Sequence, residues 1–363
     1  MRASDGRALR VLERLVSIET PSGHTPGILE ALELLRGELA PALGSDGVIM
    51  RRDGVPHLVW EATAEPRTLM LGHVDTVWPL GTLAARPFAF HNGRATGPGV
   101  FDMKAGLVIA AEALALAGEV SHVSVLITGD EETGSLTSRE TIERLASRCR
   151  SVLVLEPSAD GALKTARKGA AMYRLCVRGR GAHAGLDPER GVNALTELAH
   201  LIPHMESLAY LPLGTTVTPT VARAGDAINM VPALAELAVD VRAWTAAELE
   251  RVDAALERVG VHHRDASLRI TGGINRYPME ADRSRELIHT ARLVAARLGL
   301  SPLTEARVGG GSDGNFTAAL GVPTLDGLGA TGGGAHAEDE WVEIASLARR
   351  ARLVAGLLDE LSR

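Results

Sequence analysis

The chain has 363 residues, of which 45% are hydrophobic and 23% charged, so it has the length for two domains and the composition of an ordinary globular protein. Its formal net charge of −7 argues against a nucleic-acid partner, and no apolar run is long enough to span a membrane. Residues 1–22 lack the layout of a signal peptide, and the two cysteines form no disulfide framework, so we expect a cytoplasmic protein.

The first part of the chain alternates helices with short apolar strands. We predict helices over residues 8–18 and 27–40 and strands over 58–62 and 68–71. The second strand runs into His73 and Asp75, which lie two residues apart and therefore point to the same side of an extended backbone. Alone, this pair would be interpreted as a core histidine with an aspartate partner. Ligands of open α/β sheets bind at strand ends, however, so a site is the alternative.

A glycine-rich turn then brings Asp102 to the start of a helix. It follows a predicted loop over residues 78–99, and the helix, over residues 105–117, is apolar almost all round, which is typical of a buried helix. An isolated aspartate at this position is usually an N-cap. The glycines around it nevertheless allow the close backbone approach that a functional site requires.

Two more apolar strands end in carboxylates. The strand over residues 123–128 is followed by Asp130, Glu131 and Glu132, and the strand over 152–155 by Glu156. Adjacent carboxylates repel one another unless positive charge lies among them. A solvated acidic loop is one interpretation, but the recurrence of polar residues after three strands favours a metal site.

From about residue 168 polar and apolar residues alternate, as in antiparallel strands with one exposed face. Strands over 170–177, 217–223, 235–242 and 267–271, with helices over 193–208 and 246–259, give a β-α-β-β-α-β order that predicts a ferredoxin-like α+β domain. The earlier pattern then returns and ends in a helix over 344–361. We predict an α/β fold with a discontinuous catalytic domain, residues 1–167 and 274–363, and an inserted domain, residues 168–273.

The polar residues at strand ends and loops form one candidate set: His73, Asp75, Asp102, Glu131, Glu132, Glu156 and His336. Imidazoles and carboxylates without thiolates suit zinc, with cobalt or manganese as substitutes. A catalytic zinc takes about three protein ligands, so the set is large enough for two ions bridged by one carboxylate. One of the adjacent glutamates would stay off the metals as a base, and Asp75 would fix the tautomer of His73.

Together these motifs resemble those of the M20 metallopeptidase family, and the chain is similar over nearly its full length to the glutamate carboxypeptidases of that family. The similarity is carried by residues 72–77, 97–104, 130–135 and 155–158, and by His336. It implies a zinc-peptidase-like catalytic domain with a mixed sheet flanked by helices. It also implies two zinc ions bridged by Asp102, a general base at Glu131 and a cis Asp102–Met103 peptide. The implied ligands are His73 and Glu156 for one ion, and Glu132 and His336 for the other.

The inserted domain resembles the lid of that family, which also carries its dimer contact. The resemblance implies that His183, within residues 181–185, stabilises the transition state, and that Asn229 and Arg242 bind the substrate carboxylate. It implies that the turn at Gly311 approaches the substrate through its backbone. Glutamate-specific relatives carry an arginine just after the last lid strand, and Arg276 is the arginine nearest to that position.

The sequence therefore predicts a di-zinc amidohydrolase that releases a C-terminal amino acid, with glutamate as the first candidate, from a small peptide or N-acyl conjugate. An N-acyl-amino-acid deacylase, a desuccinylase or a dipeptidase of the same family is the alternative, because all would share the metal ligands. A binding protein that has lost the chemistry would be expected to have a damaged ligand set. We expect a homodimer formed through the inserted domain, and no membrane or nucleic-acid partner.

Overall fold

The structure, a computed structural model, describes residues 3–363, and the chain divides into two compact units with separate apolar cores. The first unit comprises the chain up to Ala166 together with Met279–Val308 and Ser312–Arg363. The second comprises Arg167–Pro278 and Gly309–Gly311. Met1 and Arg2, which the sequence analysis assigned to the catalytic domain, lie outside the described residues.

Up to Arg167, the described part of the chain contains five α-helices and eight strands. They are α1 Ala3–Val16, α2 Thr25–Leu43, β1 Val48–Arg52, β2 Val55–Trp60, β3 Thr68–His73, α3 Thr82–Ala85, β4 Ala89–His91, β5 Arg94–Thr96, α4 Ala105–Leu116, β6 Val123–Thr128, α5 Arg139–Ala146, β7 Ser151–Val154 and β8 Leu163–Arg167. The predicted loop over residues 78–99 is therefore wrong in part, because it contains α3, β4 and β5.

The elements of the second unit follow, and then the chain returns to the first unit. In the second unit they are β9 Gly169–Arg178, β10 Ala182–His183, α6 Ala194–Ser207, β11 Thr216–Ala224, β12 Met230–Val231, β13 Leu234–Ala243, α7 Ala246–Leu256 and β14 Ser267–Arg276. After them come α8 Arg285–Arg297, β15 Glu305–Val308, α9 Gly314–Ala319, β16 Thr324–Leu325, β17 Gly332–Gly333, β18 Trp341–Glu343 and α10 Ile344–Leu361.

A six-stranded mixed sheet in the order β1-β2-β6-β3-β7-β16 forms the centre of the first unit. The strands β6, β3, β7 and β16 run parallel to one another, whereas β2 pairs antiparallel with both β6 and β1. Every residue of β3, β6 and β7 is buried, which explains why these strands are continuous apolar runs without alternation. Their parallel pairing brings their carboxyl ends to one edge of the sheet.

The apolar helix α4 is buried as its composition indicates. It packs against α2 and α10, and nine of its residues are buried. The edge hairpin of β1 and β2 was predicted only in part, because no strand was expected before residue 58. The two strands are joined by Asp53 and Gly54, both with positive φ, and an Asp-Gly pair of this kind is a strong hairpin signal.

The second unit is a four-stranded antiparallel sheet in the order β11-β13-β9-β14, with α6 and α7 packed on one face. Burial alternates along β9 and β13, because one face of the sheet meets the helices. The element order is the β-α-β-β-α-β order that the sequence predicts. Within the described part of the chain, no helix is both long and apolar enough to cross a membrane.

Candidate metal centre

The parallel strands β3, β6 and β7 bring the predicted polar residues of three separate segments to one edge of the sheet. His73 is the last residue of β3, Glu131 and Glu132 lie in a short 3-10 turn after β6, and Glu156 lies two residues after β7. All four side chains belong to the first unit. This is the arrangement that parallel strands predict for residues at their carboxyl ends.

The imidazole of His73 is buried and has a defined tautomer. Its Nδ1–H donates to the backbone oxygen of Asp75 at 2.9 Å, so Nε2 carries the lone pair in the neutral ring. That Nε2 lies 3.4 Å from Asp102 Oδ1 and 3.4 Å from Glu156 Oε1. Burial alone would lower the pKa of His73, but the carboxylates around it hold that pKa well above its ordinary value. The carboxylates around His73 therefore favour a positive charge at this site.

Asp102 divides its two carboxylate oxygens between the two histidines of the site. Oδ1 faces His73, and Oδ2 lies 3.5 Å from His336 Nε2, which is itself 3.2 Å from Glu132 Oε1. Among the described residues, the buried Oδ1 accepts no hydrogen bond of acceptable geometry. The carboxylate does not cap α4, so the N-cap interpretation of Asp102 is wrong.

These spacings fit the ligands of tetrahedral metal ions. Two ligand atoms that lie about 2.0–2.1 Å from one ion are roughly 3.3 Å apart at tetrahedral angles. The contacts of 3.2, 3.4, 3.4 and 3.5 Å fall around that value. His73, Asp102 and Glu132 also form a group whose ligand atoms all lie within 4.8 Å of one another. The donor set and its geometry are compatible with two ions that share Asp102.

His336 comes from the loop after β17 and has a positive φ of 60°. The contact with the Glu132 carboxylate raises the pKa of His336 to about 9 against the opposing effect of burial. Two of the glycines that precede His336, Gly332 and Gly333, form β17 and pair with β18. A Cβ at Gly332 would lie 2.1 Å from the backbone oxygen of Trp341, so the pairing requires glycine there.

Asp75 holds the turn that carries the two glutamates. Its carboxylate accepts the backbone N–H groups of Glu131 and Glu132, each at 3.1 Å, and the hydroxyl of Ser22 at 2.6 Å. Burial would raise the pKa of Asp75, but its contacts with His73 and these donors lower it below its ordinary value. Asp75 therefore stays ionised, and it orients both the turn and, through its backbone oxygen, the ring of His73.

Glu340 is a buried residue of the centre that the sequence analysis missed. Its carboxylate accepts the N–H groups of Gly99, Phe101 and Asp102 at 2.8–2.9 Å and the indole N–H of Trp78 at 3.0 Å. The turn that it holds contains the Asp102–Met103 peptide, which is cis, as the resemblance implied. The acidic run that ends at Glu340, soon after His336, was a possible sign of a functional residue. The sequence around Glu340 does not distinguish it from its exposed acidic neighbours, however.

The remaining predicted residues belong to the second unit. The exposed ring of His183 accepts the N–H groups of Gly185 and Leu186 at Nδ1, each at 3.1 Å. With Nδ1 acting as acceptor, the ring proton lies on Nε2, which becomes a donor to solvent or to a ligand. Asn229 lies immediately before β12, and its backbone oxygen accepts the N–H of Ala184 at 2.9 Å.

Two arginines and a glycine complete the predicted set. Arg242 on β13 donates to the carboxylate of Asp240 through Nε and Nη2 at 2.9–3.1 Å. The edge of the guanidinium that carries Nε and Nη2 is therefore already paired with a carboxylate. Arg276 is buried at the end of β14, immediately after a β-bulge. The backbone oxygen of Gly311 accepts a hydrogen bond from Arg167 at 3.1 Å.

The sequence profile of Peptidase family M20/M25/M40 matches residues 69–360. Carboxypeptidase G2 from Pseudomonas sp. (strain RS-16) is 31% identical over 97% of this chain and 89% of its own length. Succinyl-diaminopimelate desuccinylase 2 from Shewanella loihica is 28% identical over 89% of this chain and 92% of its own. The fold is similar to that of a tripeptidase from Staphylococcus aureus, with a TM-score of 0.76 and 22% identity over 99% of both chains.

Proposed function

The chain belongs to peptidase family M20/M25/M40 and is a hydrolase, and we propose that it uses two zinc ions to cleave an amide bond and release a C-terminal amino acid. The substrate is a small peptide or an N-acyl amino acid, and glutamate is the first candidate for the released residue. The similarity to carboxypeptidase G2, which is 31% identical over 97% of this chain, supports the release of a C-terminal residue.

The division of the Asp102 carboxylate between two histidine–carboxylate pairs carries the proposal. Oδ1 faces the pair His73–Glu156 and Oδ2 faces the pair His336–Glu132. In this proposal each pair holds one ion and Asp102 bridges them. Zinc suits the imidazole and carboxylate donors, and cobalt or manganese can substitute. When bound, the ions polarise the amide carbonyl and make water a stronger nucleophile.

Glu131 is the proposed general base. It lies beside the proposed ligand Glu132 in a turn whose two N–H groups donate to Asp75, and the residue is only 9% exposed. Its carboxylate takes a proton from the attacking water and later gives it to the leaving amine. In this proposal the two adjacent glutamates have different roles: Glu132 is a metal ligand and Glu131 is the proton acceptor.

His183 is the proposed donor to the developing oxyanion. Two backbone N–H groups occupy its Nδ1, so the Nε2–H can be offered to a negatively charged oxygen without a change of tautomer. Asn229, Arg242 and Arg276 are proposed to bind the substrate carboxylate. The turn at Gly311 is proposed to approach the substrate through its backbone. Arg242 must then exchange or share its ion pair with Asp240 when a substrate carboxylate arrives.

An N-acyl-amino-acid deacylase, a desuccinylase or a dipeptidase is the second candidate. The succinyl-diaminopimelate desuccinylase of Shewanella loihica, 28% identical over 89% of this chain, favours a desuccinylase within this group. A binding protein without chemistry is disfavoured because all five proposed ligands and Glu131 are present in the sequence. We also propose that the protein forms a homodimer through the second unit, which sedimentation can test. We further propose a cytoplasmic location.

The proposal is tested by hydrolysis of a small substrate panel after chelation, with and without added zinc. The panel contains a folate-type aroyl-glutamate, N-acetyl amino acids, N-succinyl-diaminopimelate and simple dipeptides. Zinc-restored release of glutamate from the aroyl conjugate is the expected result. Cleavage of only acetyl or succinyl substrates would keep the mechanism and replace the substrate. No cleavage by protein that has two zinc ions bound would contradict the proposal.

A further inference from the structure

A second group of metal-ligating side chains lies within the second unit. A carboxylate oxygen of Glu197 and one ring nitrogen each of His200 and His262 all lie within 4.8 Å of one another. Glu197 and His200 are three residues apart on α6 and so share one face of that helix. His262 comes from the segment between α7 and β14. The group thus joins two segments that are distant in sequence. The hydrolysis proposed above does not use these three residues.

The carboxylate of Glu197 is held in a fixed orientation. Its side chain is 7% exposed, and its two oxygens accept the backbone N–H groups of His262 and His263 at 2.6 and 3.2 Å. A carboxylate oxygen has two lone-pair sites, so each can accept an N–H and still offer an electron pair to a cation. Carboxylates that bind metals are commonly oriented by hydrogen bonds of this kind.

The two imidazoles are exposed and close together. The rings of His200 and His262 meet edge to face with centroids 4.6 Å apart, and the side chain of His262 is 68% exposed. Ligand atoms of a tetrahedral zinc ion lie roughly 3.3 Å apart, so small side-chain rotations of these rings would complete the geometry. The helix beneath them is anchored, because the side chain of Asn193 caps its first turn.

We propose that Glu197, His200 and His262 bind one divalent transition-metal ion, zinc foremost, at a site separate from the catalytic pair. Two imidazoles and one carboxylate are a ligand set that zinc and related ions use, with water completing the coordination. The bound ion links α6 to the segment that leads into β14. Its effect is to stabilise the second unit, and it takes no part in hydrolysis.

Zinc stoichiometry of the full-length, untagged chain tests this site. The protein is stripped with a chelator, dialysed against buffered zinc and analysed for bound metal by mass spectrometry. His200→Ala and His262→Ala are each expected to lose one equivalent of zinc relative to the parent. The matched control is His204→Ala, because His204 is exposed one turn further along the same helix, and it should lose none.

The same three variants are also made on an Asp102→Asn, His336→Ala background, which separates this site from the catalytic one. The one equivalent of zinc that is lost on substitution of His200 or His262 should be lost on both backgrounds. Zinc should also raise the melting temperature of these variants less than that of the parent. Hydrolysis should be unchanged in the single variants. Equal zinc content in the parent, His200→Ala and His262→Ala would overturn the proposal, whatever the double-variant background shows about the catalytic ions.

Discussion

The carboxylate of Glu340 accepts the backbone N–H of Asp102 at 2.9 Å, a contact between residues 238 positions apart in sequence. The same carboxylate accepts two further N–H groups of the Gly99–Asp102 turn, and it lies four residues after His336. Glu340 therefore links the proposed bridging aspartate to the segment that carries His336, the proposed ligand of the second ion. We therefore expect Glu340 to be a positioning residue, because its contact with the proposed metal centre is made through Asp102.

Glu340→Gln should weaken metal binding by roughly 10–100-fold and lower the free energy of unfolding by about 1–3 kcal/mol. The amide offers one acceptor oxygen in place of two and points N–H groups at the N–H groups of the turn. Metal affinity is measured by competition with a chelating dye, and stability by urea unfolding. Glu338→Gln is the control, because Glu338 is exposed two residues away. Unchanged metal affinity in Glu340→Gln would contradict the positioning role.

The contact of Glu340 also shows what the sequence could and could not predict. His73, Glu131, Glu132 and Glu156 were predictable because each lies at or just after the carboxyl end of a buried parallel strand, and these ends lie at the same edge of the sheet. Glu340 follows no such rule. Glu340 stabilises the fold by accepting hydrogen bonds from a turn that is distant in sequence. This could not be predicted, because an acidic run is equally typical of a solvent-exposed loop.

Asp75→Asn should lower kcat by roughly 10–100-fold. The carboxylate accepts the N–H groups of Glu131 and Glu132 and the hydroxyl of Ser22, whereas an asparagine has one acceptor oxygen for these three donors. The turn that carries the proposed base would lose its orientation. Steady-state kinetics and metal content are measured together. Ser22→Ala removes one donor only and should have a smaller effect, and a larger effect of Ser22→Ala would argue against this account of Asp75.

Glu131→Gln should reduce kcat by about 10²–10⁴-fold while the bound metal content stays the same. Glutamine has nearly the same size as glutamate but cannot accept the proton of the attacking water. Glu132→Gln is the contrasting variant, since Glu132 is the proposed ligand and its loss should lower metal content as well as rate. If Glu131→Gln retained kcat within about tenfold of the parent, the base would have to be another residue.

Cys149 should react slowly with alkylating reagents below pH 10. Burial raises the pKa of the Cys149 thiol to about 11, with the charge of Arg148 acting in the opposite direction. In a Cys176→Ser background, the alkylation rate should rise tenfold per pH unit and level off near pH 11. Because the folded pKa lies above the ordinary value, this thiol stabilises the fold below about pH 9, and the contribution is lost as the pH rises toward 11. Urea-unfolded protein, which should react readily near pH 9, is the control.

The end of β14 shows a second limit of sequence reasoning. The strand was predicted over residues 267–271, yet it continues through two glycines to Arg276. Gly272 and Gly273 adopt φ values of 105° and 150°, which only glycine tolerates well, and they remain paired with β9. A bulge between Ile274 and Arg276 then shifts the register by one residue. The position of Arg276 relative to a family pattern could not be fixed by counting residues across such a bulge.

The ion pair between Arg242 and Asp240 leads to a prediction about substrate affinity. Arg242→Ala should raise KM for substrates with a free C-terminal carboxylate by roughly 10-fold or more, because a hydrogen bond to a charged group contributes about 1.5–3 kcal/mol. Asp240→Asn should lower KM, because the neutral amide no longer competes with the substrate for the guanidinium. Both effects are measured with a carboxylate substrate and with its C-terminal amide.

The amide substrate separates a binding role from a structural one. If Arg242 binds the substrate carboxylate, Arg242→Ala should change KM for the acid and leave KM for the amide nearly unchanged. Arg174→Ala is the matched control, because Arg174 is exposed on the neighbouring strand β9 and pairs with Glu236. Equal changes for acid and amide in Arg242→Ala would mean that the ion pair with Asp240 only stabilises the sheet. A change in the control as large as that in Arg242→Ala would point instead to the general positive charge of this surface.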